Sequence, residues 1–129
     1  PEPDSRIGER GPAGGWSFYD KGDDSDGWRY LEAAPSDFDD RMIWDDAVSA
    51  ARRYSVGGYN DWRLPTKDEL NWMYENLYEE GIGGFASGYY YWSSSESNAD
   101  DAWFQVFGNG NQVSSGKKFR ERVRAIRAF

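Results

Sequence analysis

Two segments with helical apolar spacing sit together in the middle of the chain, and the strand-like segments lie before and after them. That segregated order, β-β then α-α then several β, predicts an α+β fold: helices packed on a mainly antiparallel sheet, not alternating parallel units. The first helix is expected over residues 44–55, where Trp44, Ala47, Val48 and Ala51 share a face. Gly57 and Gly58 end it. The second is expected to start at Thr66, because Thr66-Lys67-Asp68-Glu69 has capping-box spacing. Leu70, Met73 and Leu77 form its apolar stripe, helped by Trp72 or Tyr74, and Gly81 is the natural stop. Residues 16–19 and 28–33 read as a hairpin around an acidic turn. After Gly84, residues 89–94, 102–107 and 122–129 read as strands, with polar, glycine-rich turns at 95–101, 108–111 and 114–116. Side-by-side pairing of the N- and C-terminal strands would close such a fold. The 129 residues suggest one domain over 16–129 behind a lead-in loop of 1–15. The opening Pro1-Glu2-Pro3-Asp4 reads as a trimmed boundary or a mature end, not as a signal peptide.

Composition narrows the chemistry. There is no cysteine, so no disulfide framework, thiolate metal site or cysteine nucleophile is available. There is no histidine, which removes the usual general base and the commonest transition-metal ligand. Ser-His-Asp and Cys-His catalysis are thereby excluded. The net charge of −8 argues against a nucleic acid partner. Acids concentrate around 20–26 and 37–46. The basic residues gather late, in Lys117, Lys118, Arg120, Arg122, Arg124 and Arg127, where strand arginines also serve as structural pairs. Aromatics make up 18% of the chain, which points to a packed, glycine-punctuated globule and not to disorder. No apolar run is long enough to span a membrane.

Several segments together carry a resemblance. They are Gly11-Pro12-Ala13-Gly14-Gly15 with Phe18-Tyr19-Asp20, and Gly27-Trp28-Arg29-Tyr30-Leu31-Glu32-Ala33-Ala34-Pro35. Asp61-Trp62-Arg63-Leu64-Pro65-Thr66 with Glu69-Leu70 follows, then Tyr91-Trp92-Ser93-Ser94-Ser95-Glu96, Ala102-Trp103 and Val123-Arg124-Ala125-Ile126-Arg127. In this order they resemble the Legionella collagen-like adhesin C-terminal (DUF1566) domain, especially its treponemal relatives. That family is similar to the formylglycine-generating-enzyme branch of the C-type lectin fold, which also supplies the variable proteins of diversity-generating retroelements. The resemblance implies a C-type-lectin-like scaffold, with residues 89–122 as a ligand-binding region open to rewriting. Formylglycine chemistry works through cysteines and does not carry over to this chain. The calcium-dependent sugar motifs are not matched either: Glu2-Pro3-Asp4 is at the wrong end and Asn60-Asp61-Trp62 has the wrong order.

Three constellations invite sharper readings. Asp20, Asp23, Asp24 and Asp26 before Gly27 have hard-oxygen chemistry, but Gly22 stands where the first EF-hand ligand belongs, so a solvated hairpin tip is the better reading and no metal site is assigned. Ser93, Ser94 and Ser95 have no base to activate them and are expected to satisfy backbone groups. Asp100 and Asp101 are adjacent, so they point apart and make a poor acid–base pair. Alternation sends Trp103, Gln105 and Phe107 one way and Phe104 and Val106 the other. With Trp103 and Phe107 as core on the resemblance, Phe104 and Val106 are expected to face outward. The candidate ligand contacts are therefore Ser97, Asn98, Asp100 and Asp101 in one turn, Phe104 and Val106 in the strand, and Asn109 and Asn111 in the next turn. Val113, Ser114, Lys118, Phe119, Arg120 and Glu121 complete them. The expectation is a binding module without enzymatic activity or cofactor, displayed at a bacterial surface and facing a host or competitor macromolecule, protein or glycan. A glycan or glycosaminoglycan adhesin of fixed specificity, or a trimeric assembly domain, is the alternative.

Overall fold

The computed structural model describes residues 7–86 and 89–129; the first six residues of the expected lead-in loop lie outside these. Two strands open the chain, β1 (Trp16–Asp20) and β2 (Tyr30–Ala33), joined by an acidic turn. Helix α1 (Trp44–Arg53) follows and stops two residues earlier than expected, because Tyr54 is already extended. Helix α2 (Lys67–Met73) begins where its capping box predicts. Glu69 N donates to Thr66 Oγ1 (3.2 Å) and Thr66 N donates to Glu69 Oε1 (2.9 Å). The helix runs on as a π-helical turn (Tyr74–Tyr78), and Gly81 takes up the left-handed conformation just beyond it. Leu70, Met73 and Leu77 are buried, as their spacing requires.

The C-terminal third supplies β3 (Tyr90–Glu96), β4 (Asp101–Val106), β5 (Gln112–Gly116) and β6 (Ile126–Ala128). The strands form two antiparallel sheets, β1-β2-β6 and β3-β4-β5, so the fold is α+β. Three expectations are corrected. The C-terminal strand pairs with β2 and not with the N-terminal strand β1: Leu31 faces Ala128 and Ala33 faces Ile126. Leu31, Glu32 and Ala33 are wholly buried, which makes β2 the natural centre of its sheet. Residues 114–116, expected as a turn, complete β5, where Ser114 pairs with Trp103 and Gly116 with Asp101. The last strand, expected over 122–129, shortens to three residues. Arg122 hydrogen-bonds β3 through Tyr90 and Trp92, whereas Ile126 bonds Arg63, so this segment stitches one sheet to the other.

The interior holds two apolar clusters. Trp92, Ala102, Phe104, Val123 and Ala125 pack with Trp62, Leu64 and the Ala47/Ala51 face of α1. Tyr91, Phe107 and Ile126 pack with Phe18, Leu31 and the stripe of α2. Successive residues of β3 therefore serve opposite clusters, as period-two geometry demands. The late arginines belong to this frame. Arg127 reaches Glu32 (3.1 Å) and Asp61 (2.7 Å), and Arg124 reaches Asp37 (2.7 Å) and the Ala34 and Gly83 carbonyls. The buried Glu32 carboxylate also accepts from Gly15 N (2.7 Å) and Ala13 N (3.1 Å). A Cβ at Gly11 would lie 2.3 Å from that carboxyl carbon, and one at Gly15 would lie 1.9 Å from the Ala33 oxygen. The glycines of the opening loop are there to let the backbone close over a charge.

Candidate functional site

The β3–β4 turn is built by Asn98. Its Oδ1 accepts from Asp100 N (2.8 Å) and Asp101 N (2.9 Å), and its Nδ2 donates to Asp101 Oδ2 (3.1 Å). Ser97 and Ser114 join hydroxyls across to β5. Lys117 then ties three elements together: its Nζ donates to Glu96 Oε2 (2.5 Å) and Ala99 O (2.8 Å) and sits 4.4 Å over the Trp44 ring. Its carbonyl accepts from Trp44 N at the start of α1. Together these contacts frame a groove of about 780 Å³ lined by Ile43, Asp45, Ala99, Asp100, Asp101, Gly116, Lys117, Lys118 and Phe119. Phe119 is 62% exposed, more than any other large apolar side chain among the described residues.

The structure brings Asp100, Asp101, Lys118 and Phe119 into that groove, with Ser97, Asn98 and Ser114 beside it. Asn109 and Asn111 lie at the opposite end of the sheet, about 17 Å away at roughly 3.4 Å per residue along β5. There Asn109 Oδ1 accepts from Asn111 N (2.9 Å), a turn-forming bond. Val113 is exposed at 41% on the outer strand. Phe104 is a correction: it is 7% exposed and not outward-facing, stacked on Tyr90 (4.9 Å between ring centroids) and edge-on to Trp92. Val106 is likewise half-buried against the α1-side cluster. Phe107 is core, but Trp103 is half-exposed beneath Lys67 Nζ, 3.8 Å from its ring centre. Strand β4 is covered on both faces, so alternation could not say which face looked outward.

Arg120 and Glu121 belong to two smaller hollows. Asp39, Asp40, Arg41, Arg120 and Arg122 line one, and Arg41, Tyr89, Tyr90 and Glu121 line the other. Burial pushes the Glu121 carboxyl up to about 7, with Arg41 pulling the other way. Sequence reasoning missed Tyr89, Tyr90, Arg41, Ile43 and Asp45. The Tyr89-Tyr90 pair was a visible signal; Ile43 and Asp45 reach the groove only through tertiary packing of α1.

The other constellations are structural. Ser93 Oγ donates to Trp103 O (2.7 Å), and Ser95 Oγ accepts from Lys67 N (2.9 Å). In the acidic turn, Asp20 pairs with Arg29 (2.8 Å) and Asp23 accepts from Ser25 N (3.0 Å). The Arg29 hydrogen bond holds the Asp20 carboxyl below its ordinary range. Among the described residues no group of carboxylates converges as a metal site would require, and no helix is long and apolar enough to cross a membrane.

No curated protein matches the sequence. The crystal structure of botrocetin is similar, with a TM-score of 0.52 and 10% identity over 77% of this chain and 91% of botrocetin. At that identity the likeness concerns the fold alone. Residues 21–127 match the Lcl C-terminal domain, a span that takes in α1, α2 and the whole second sheet. The chain belongs to the Lcl C-terminal domain family.

Proposed function

We propose that this is a ligand-binding domain without enzymatic activity, built on a C-type-lectin-like scaffold and displayed at a bacterial cell surface. Its ligand is an external macromolecule. The observation that carries this reading is Phe119, held out over a groove rimmed by Asp45, Asp100, Asp101, Lys117 and Lys118. An aromatic anchor inside a charged rim is the anatomy of a binding hot spot. Covering such a ring yields roughly 1.5–3 kcal/mol. Family membership supports ligand binding in general, and the likeness to botrocetin supports the scaffold. Residues 89–122, which contain most of this groove, are on this reading the segment that retroelement-type rewriting would diversify.

Binding to immobilised glycan and protein panels tests the site, with wild type and Phe119→Ala compared at equal loading. The expected result is a retained ligand whose affinity falls at least tenfold in the variant while the melting temperature holds. A panel that yields no ligand, or a ligand indifferent to Phe119→Ala, overturns the assignment. Lys118 and Arg120, both exposed beside Phe119, favour a sulfated glycan of fixed specificity as the second reading. Binding that falls steeply with added salt would select it.

A further inference from the structure

The groove and the Asn109–Asn111 turn stand at opposite ends of β5, and what joins them is an open sheet edge. The register of β4 with β5 runs Phe104 to Val113 and Ala102 to Ser115. The bonds that extend it, Val106 N to Asn111 O (2.8 Å) and Lys117 N to Asp100 O (2.9 Å), fix its phase. In an antiparallel ladder hydrogen-bonded and non-bonded pairs alternate. Val113, Ser115 and Lys117 therefore turn their amides toward β4, and Gln112, Ser114 and Gly116 turn theirs away. Among the described residues no backbone bond reaches Gln112 or Ser114 from that outer side, and no strand or bridge follows β5 in the sheet.

Edge strands usually carry a proline, a lysine or a bulge that blocks further pairing. Gln112-Val113-Ser114-Ser115-Gly116 has none of these, and its register with β4 runs without a shift. By contrast the β1–β2 and β3–β4 pairings both slip. The edge is also marked by Val113, whose exposed side chain lies opposite the buried Phe104.

Resting on the ligand-binding reading above, we propose that the partner is a polypeptide that contributes an extended segment as a further antiparallel strand on β5. Its backbone would bond the outward amides and carbonyls of Gln112 and Ser114. An apolar side chain opposite Val113 would cover that residue. The segment's end beyond Gly116 would deliver a side chain onto Phe119. Main-chain pairing supplies affinity and the flanking side chains supply choice, so substitutions at the turns retune specificity without altering the ladder. A glycan offers no such ladder.

The test pans a phage-displayed library of linear random peptides on the domain. The selected peptides are then scanned by backbone N-methylation, and the amide exchange of Gln112 and Ser114 is followed. Strand addition requires loss of binding at alternate N-methyl positions and at least tenfold slower exchange at both amides. It also requires at least tenfold loss on Ser114→Pro relative to Ser114→Ala: both lose the hydroxyl bond to Ser97, and only proline also removes the outward N–H, with no β4 bond lost. If that variant melts early, the exchange of the wild-type amides decides. Peptides that lose affinity on Phe119→Ala yet leave both amides unprotected keep the groove and overturn strand addition. Binders unmoved by Phe119→Ala and Ser114→Pro alike overturn the site itself, and a library that yields no binder counts against the polypeptide partner.

Discussion

Glu121 is held in place by two main-chain bonds to Met42, each 2.9 Å, which leave its carboxyl half-buried between Arg41 and the exposed Tyr89 and Tyr90. Burial raises it to about 7, whereas an unfolded glutamate titrates near 4.3. A raised acid binds its proton more tightly in the folded state, so its charge costs stability as pH climbs from about 4.3 towards 7. Glu121→Gln is expected to stabilise the fold at pH 8 by about 1 kcal/mol, solvent on the open side screening the rest. The gain should vanish at pH 4. Urea midpoints at the two pH values measure it; an equal effect at both would refute the burial argument. Gly15 makes a second residue-level case. Gly15→Ala meets the Ala33 carbonyl and should cost about 1–3 kcal/mol, read by the same midpoints; at Gly14 the Cβ position is open, and the cost of alanine comes instead from its left-handed backbone. Residue identity was legible where local chemistry sets it, as at Thr66. It was illegible at Phe104, because a strand with core on one side and α2 over the other has no outward face for alternation to find.

Among the elements, α2 was the most legible because cap, stripe and stop all agreed. Its start carries an added bond: Arg63 forks onto the capping Glu69 at 2.6 and 2.8 Å. Burial works against the charge on Glu69, yet Arg63 and the Thr66 amide outweigh it and hold the carboxyl below its usual range. Thr66→Ala is expected to cost about 1 kcal/mol from the lost cap. Arg63→Lys should lose further stability by giving up the fork, and a double-mutant cycle on thermal melts separates the two. Strand β5 was the least legible element. One valine among glutamine, serines and a glycine carries too little apolar pattern to separate a strand from a turn, and its identity comes from pairing with β4.

At the level of the whole molecule, Arg127, Glu32, Asp61 and the opening loop form one electrostatic knot joining residues far apart in sequence. Arg127→Met strands the wholly buried Glu32 carboxylate and should destabilise by about 3–5 kcal/mol in urea titrations at neutral pH. A double replacement of Arg127 and Glu32 by apolar residues should recover part of the loss. Only part of the basic run near the end of this acidic chain reaches the surface: Lys118 and Arg120 are exposed, whereas Arg127 in the knot and Arg124 on Asp37 face inward. The candidate site was legible as a stretch of sequence but not as a shape, since Asp45 of α1 and Ile43 just before it come from the other half of the chain. The burial of β4 on both faces also sets the grammar of change open to this domain. A population of variants would tolerate novelty in two separate blocks, one at each end of the second sheet, with an unchanging strand between them. Its repertoire would grow by combining the blocks, not by redrawing the face that divides them.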